Sequence, residues 1–164
     1  MAARSASPIH FLPMTANETS FWLGAKTSTY CPPVVEQAAG ECPPGEATVI
    51  VGGSALDVGV PGGQQIYISS AGALKYTRPH SANIPPGSIK AGFMYEPGQP
   101  FGHYTWKGQQ GQGFMACPLD NGMWQVFAAV DDAEVPSGNT ADCLGFSAMA
   151  MAYNGEEPAA WEYV

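Results

Sequence analysis

Few side chains in this sequence could carry covalent or acid–base chemistry, and their spacing limits what they could do. Glu96 and Asp120 both flank aromatic segments, and two carboxylates meeting across a β cleft could act as the acid and base of a glycosidase. His103 sits within Phe101-Gly102-His103-Tyr104-Thr105-Trp106, where a histidine reads as a packed or rim residue more readily than as a catalyst. Asp131, Asp132, Glu134 and Asp142 fall in the stretch DDAEVPSGNTAD, which is oxygen-rich enough for calcium. It lacks the D-x-[DN]-x-[DN]-G spacing of a helical calcium loop. Gly52-Gly53-Ser54-Ala55-Leu56 does not supply the G-x-S-x-G of a serine nucleophile elbow, and no P-loop or H-E-x-x-H occurs. His10, His80 and His103 form no H-x3-5-H pair and no C-x-x-C is present, so zinc spacing is absent. No metal or cofactor is expected. The aromatic set Tyr95, Phe101, Tyr104 and Trp106 is the candidate for a ligand platform or an interface, with core packing as the plainer reading.

Four cysteines, Cys31, Cys42, Cys117 and Cys143, fit two disulfides with three possible connectivities. Nearest-neighbour pairing gives Cys31–Cys42 and Cys117–Cys143, each closing a loop whose entropy is worth roughly 3 kcal/mol. With all four cysteines paired, none is left to act as a nucleophile. Asn17-Glu18-Thr19 is a glycosylation sequon at Asn17. Residues 1–8 carry no apolar signal-peptide core, so the chain reads as a mature secreted protein whose leader has been removed.

The chain has 164 residues, with 6 basic and 14 acidic side chains and a net charge of -8. All six basic residues lie within 1–107, beside six acids. Residues 108–164 hold eight acids and no Lys or Arg: Asp120, Asp131, Asp132, Glu134, Asp142, Glu156, Glu157 and Glu162. These read as solvated loops between strands. An acidic chain without a basic patch is no general partner for nucleic acid. No apolar run reaches the ~18 residues of a membrane helix, so no membrane insertion is expected. Hydrophobic residues make up 45%, which speaks against disorder.

The elements that must position these residues are short strands. Gly and Pro together number 35 and punctuate the chain about every eight to twelve residues, the pattern of an all-β sandwich or barrel. The expected strands are His10–Met14, Ser20–Gly24, Ala47–Val51, Gln65–Ser69, Leu74–Thr77, Ile89–Tyr95, His103–Trp106, Gly113–Ala116, Met123–Ala129, Leu144–Tyr153 and Ala160–Tyr163. In Gln65–Ser69, Ile66 and Ile68 point one way and Tyr67 the other. Asn121-Gly122 predicts a type I′ hairpin pairing Phe114–Cys117 with Met123–Phe127. Only Val34–Ala39 has a helical composition. The expectation is one all-β domain over 1–164, a barrel or barrel-like sandwich of about ten short strands with two disulfides and residues 1–8 as a flexible tail. Strand should exceed ~40% and helix stay under ~10%, away from the usual mixture.

The segments Phe114-Met115-Ala116-Cys117-Pro118, Trp124-Gln125-Val126-Phe127-Ala128 and Asn139-Thr140-Ala141-Asp142-Cys143-Leu144-Gly145 resemble, in the same order, the PhiA-like cell wall proteins of filamentous ascomycetes. Ala141 stands as an insertion in that family's N-T-D-C motif. The resemblance carries the pairing Cys117–Cys143 over and leaves the partner of Cys42 open. It implies a secreted, non-enzymatic protein of the fungal cell wall or surface, of a kind that a host can perceive as an elicitor of defence or as an allergen. It offers no catalytic residues. The alternatives are a carbohydrate-binding module or acid glycosidase acting on wall polymers, and a small-ligand carrier with an apolar interior. A homodimer through the face Tyr95 to Trp106 is expected from the exposed-type aromatics. The further partners expected are a cell-wall polysaccharide or a host receptor.

Overall fold

The structure is a computed structural model that describes residues 1–156 and 158–164; Glu157 lies outside the described residues. Fourteen strands are described: β1 Ala2–Ala3, β2 Met14–Asn17, β3 Ser20–Leu23, β4 Thr29–Tyr30, β5 Ile50–Val51, β6 Ala55–Leu56, β7 Gln64–Ile68, β8 Leu74–Tyr76, β9 Phe93–Glu96, β10 Gly102–Trp106, β11 Phe114–Pro118, β12 Trp124–Ala128, β13 Leu144–Ala150 and β14 Glu162–Tyr163. The helix α1, Pro33–Ala39, lies inside the loop closed by Cys31 and Cys42. Gly40 ends it in the left-handed conformation (φ 91°), its N–H donating to the Glu36 carbonyl. Strand makes up 36% and helix 6%. Helix is as scarce as expected, but strand falls short because five of the strands are only two residues long.

Ten strands form one curled, barrel-like sheet in the order β5-β6-β7-β8-β3-β12-β11-β13-β10-β9, with β1 added at β13 and β2 at β3. β14 pairs with β4 in a separate ribbon. The two ends of the curled sheet come together without pairing as strands: Tyr104 Oη on β10 donates to the Gly53 carbonyl in the β5–β6 turn at 2.9 Å.

Period-two alternation sorts the side chains between the faces. Ala116 and Val126 face the main core with Phe21, Ile66, Tyr76, Trp106, Phe114 and Tyr163. Their neighbours Cys117 and Phe127 face the other way, into a smaller cluster with Ala73, Met115 and Val135. The acidic segment 129–143 covers that cluster. The Glu134 N–H donates to the Ala71 carbonyl at 3.0 Å, and Cys117–Cys143 ties the segment to β11. Tyr67 is buried although it opposes Ile66 and Ile68, so both faces of β7 are covered.

The side-chain amide of Gln64 is fully buried and satisfied throughout. Gln64 Nε2 donates to the carbonyls of Thr77 and Tyr163, both at 2.9 Å. Its Oε1 accepts from the Tyr163 N–H at 2.8 Å. Tyr163 Oη donates to the Ala47 carbonyl and accepts from the Val49 N–H. These bonds seat Tyr163 of β14 against the core with its polar groups paired, whereas Oε2 of the neighbouring Glu162 is buried without a hydrogen bond, 4.0 Å from His80 Nε2.

Three expectations are corrected. Residues 1–8 are not a free tail: Ala2 and Ala3 pair with Ala148 and Ser147, and Ala2 is buried. His10–Met14 is no strand up to Met14, because Phe11 takes a positive φ (65°) and the His10 ring stacks on it at 3.8 Å. The hairpin at Asn121-Gly122 joins β11 to β12 in the expected register, with Cys117 opposite Gln125. Its turn is not type I′, since Gly122 (φ 80°) has positive φ and Asn121 does not. It is a three-residue loop closed by Leu119 N–H to the Met123 carbonyl. The two-residue turn with both φ positive is instead Glu18-Thr19 (49° and 59°), between β2 and β3.

Candidate functional site

Where the ends of the sheet meet, the fold leaves a cleft of about 1220 Å³. Phe93, Tyr95 and Tyr104 from β9 and β10 form one wall, and Ala148, Met149 and Ala150 of β13 continue it into Met151 and Ala152. Val49, Ile50 and the Gly52-Gly53 turn face them, with Met14, Thr15 and residues 25–27 closing the base. Tyr95 lies directly opposite Tyr104 in the β9–β10 register, so alternation puts both rings on the cleft side. The Phe93 and Tyr104 rings stack at 6.3 Å, and Tyr104 stacks on Phe114 at 5.5 Å. Gly52 and Gly53 both take positive φ (56° and 76°), the conformation this turn needs and glycine adopts without strain.

The polar groups of the cleft are largely committed to the fold. Thr27 and Thr48 share a hydroxyl hydrogen bond of 2.9 Å, and Thr48 Oγ1 also accepts from the Ala16 N–H at 2.8 Å. Thr15 Oγ1 lies 3.2 Å from the Ala25 carbonyl and donates toward it. Burial pushes the Tyr104 phenol well above its ordinary range, which keeps it protonated as the donor to Gly53. The charged side chains on the lining are Lys26 and Glu46, of opposite sign and both exposed. Such a site can hold an apolar body; the partly buried Met1 ammonium also lies on its lining, donating to the Met149 carbonyl at 2.9 Å, and burial lowers its pKa.

The residues singled out in the sequence are divided by the structure. Glu96 on β9 and Asp120 beyond β11 are separated by two intervening strands, roughly 14 Å of sheet. Extending the registers adds nine residues along the strand, roughly 30 Å more. A glycosidase pair stands ~5–9.5 Å apart, so these two carboxylates do not form one. His103 is exposed, with Nδ1 3.1 Å from Ser147 Oγ, and its ring meets Phe101 edge-on. Asp131, Asp132, Glu134 and Asp142 do not converge; no metal-binding group of three or more His, Cys, Asp or Glu occurs among the described residues. The four aromatics are not one surface. Tyr95 and Tyr104 line the cleft, whereas Trp106 is buried deeper, its Nε1 donating to the Ala91 carbonyl at 3.1 Å. Phe101 stands apart at the edge, beside His103. Exposure of Tyr104 and Trp106 is thus corrected: even positions of β10 point inward.

The disulfides Cys31–Cys42 and Cys117–Cys143 are both formed, and no free cysteine is present among the described residues. Asn17 is half-buried at the end of β2, its Nδ2 donating to the Lys26 carbonyl at 3.1 Å, beside residues that line the cleft. The part of the site that sequence reasoning missed is the run Ala148-Met149-Ala150-Met151-Ala152. Its alternation of small and flexible apolar residues is the signal that could have marked a cleft wall.

The model of a family described as PhiA-like secreted protein matches residues 1–164. A relative from Arthroderma benhamiae, described as an uncharacterized secreted protein, is 46% identical over 154 residues, covering 93% of this chain and 77% of its own. No solved structure matches.

Proposed function

This chain belongs to the PhiA-like secreted protein family, and from that premise we propose that it is a non-enzymatic protein of the fungal cell wall or surface that works by holding a ligand. The observation that carries this reading is the chemistry of the cleft: apolar walls, hydroxyls tied into the fold, and two opposite charges at the rim. A carrier needs an open apolar cavity, and a catalyst needs groups that can move protons or attack. Incubation with chitin and β-glucan, scoring reducing ends and bound protein, tests it. Protein retained on wall material without release of sugar is expected; reducing ends rising with protein concentration would overturn it.

A surface location is also what would let a host perceive the protein as an elicitor or allergen. Infiltration of purified protein into leaves should then raise a defence response that heat-denatured protein does not. The homodimer belongs to the same reading. β9 ends the sheet path, with Met94, Tyr95 and Glu96 exposed, and two such edges can pair about a twofold axis. Light scattering should give about twice 17.2 kDa. A second reading, a carbohydrate platform, is favoured by exposed Tyr95 and Phe101 beside Glu96 and His103. Loss of wall retention in Tyr95→Ala and Phe101→Ala would support it.

A further inference from the structure

We propose that the cleft at the seam of the sheet is a binding site for an uncharged lipid, a long-chain or fused-ring hydrocarbon body bearing at most one hydroxyl. The proposal rests on reading the cleft as a holding site and adds the class of ligand.

Size comes first. The cleft encloses about 1220 Å³, above the ~300–1,000 Å³ usual for small-molecule sites, so it has room for a lipid. The walls suit a hydrocarbon body. Phe93 and Tyr104 give a stacked aromatic side, while Met14 and, at the lip, Met151 supply unbranched, polarisable side chains that adapt to an irregular shape. An apolar surface of this extent, left open to water, is the usual mark of a place that something apolar covers.

The charge of the ligand follows from the polar groups. A carboxylate or phosphate buried here would need a cation or a set of donors, and a buried unpaired charge is costly. Of the two cationic groups on the lining, Lys26 is exposed and balanced by Glu46, and the Met1 ammonium already donates to the Met149 carbonyl at 2.9 Å, with its charged form disfavoured by burial. The net charge of -8 also opposes an anionic ligand at long range. An ammonium headgroup would face Lys26 as well as Glu46. The Thr15, Thr27, Thr48 and Tyr104 hydroxyls are already bonded within the fold, so they do not call for a polar body. Tyr95 and Tyr153 bring phenolic groups to the lining, enough to meet a single lipid hydroxyl.

The test uses the full chain and the uncharged dye Nile red as reporter, displaced in turn by ergosterol, 1-hexadecanol and palmitate. Dye fluorescence should rise on mixing, and at least one uncharged lipid should displace the dye at about tenfold lower concentration than palmitate. Met151→Glu puts a carboxylate on the lip at a residue 67% exposed, where folding is not at stake. It should weaken dye binding about tenfold, with circular dichroism unchanged. No fluorescence gain, or Met151→Glu without effect, would overturn the site. Palmitate competing as well as both uncharged lipids would overturn the ligand class and leave the holding role standing. Lipid recovered from the protein with an altered mass would instead overturn the holding role.

Discussion

Replacing Cys117 and Cys143 together by alanine should cost far more stability than replacing Cys31 and Cys42, and the structure says why. Cys117–Cys143 spans 26 residues, so the loop-entropy relation gives about 3.5 kcal/mol at 25 °C. For a 164-residue chain the unfolding entropy is about 0.34 kcal/mol/K, so this corresponds to a fall in Tm of about 10 °C. The bond also holds the acidic segment 129–143, with its own Val135, over Ala73, Met115 and Phe127, side chains that water would reach if the segment lifted. Cys31–Cys42 spans 11 residues, and the same relation gives about 2.8 kcal/mol. Its loop carries little but α1, whose described side chains are mostly exposed, so it can open locally before the domain unfolds. Only a minor part of that figure should therefore reach the global transition, about 3 °C or less. Scanning calorimetry of the two double variants reads both quantities. Equal losses, or a larger loss for the Cys31/Cys42 pair, would refute the view that the segment 129–143 is stapled into the cooperative unit and the α1 loop is not.

The remaining predictions concern the core, the seam and the surface. Tyr76, Tyr104 and Tyr163 are buried, and burial raises all three phenols, Tyr163 to about 12. An unfolded phenol loses its proton near pH 10, so above that pH the unfolded chain binds fewer protons and stability falls, by on the order of 1 kcal/mol per buried tyrosine at pH 11. Thermal melts should thus be nearly unaffected by these groups below pH 9 and drop steeply from pH 10 to 12; a flat profile there would contradict the burial. Tyr104→Phe removes the one donor to the Gly53 carbonyl among the described residues and should cost about 1–2 kcal/mol, with faster amide exchange at residues 52–55. Unchanged exchange would show that the bond does not hold the seam. Expression in a secreting fungal host should give Asn17 carrying a glycan, seen as a mobility shift on endoglycosidase treatment that Asn17→Gln abolishes; absence of the shift would leave the sequon unused.

Local physics was legible where one stretch of chain decides the outcome. Ile66 and Ile68 alternate, and β7 follows; α1 falls where Val34–Ala39 carried the one helical composition. Adjacent cysteines are paired, and the β11–β12 register matches the expected hairpin. Turn chemistry was less legible. Asn121-Gly122 has the composition of a type I′ turn and takes another, while Glu18-Thr19 takes two positive φ values with no glycine because pairing of β2 with β3 on both sides imposes them. The cleft was legible only in part, through Tyr95 and Tyr104. Met14, Val49, Tyr104 and Met149 are far apart in sequence and line one cleft only because the sheet curls until β5 and β9 face each other. Neither that curl nor the Gln64–Tyr163 network that seats β14 leaves a periodic signal in the chain.

In the proposed function the seam cleft is the working part of the molecule and holds an apolar ligand. The methionine methyl groups report on it directly. Of the seven methionines, Met14, Met149 and Met151 line the cleft beside Met1, whereas Met115 is packed under the segment 129–143 and Met94 and Met123 lie elsewhere. In methyl-labelled protein titrated with 1-hexadecanol, the Met14 and Met151 resonances should move together and saturate, with Met94, Met115 and Met123 fixed. No movement, or movement confined to Met94 and Met123, would contradict the account.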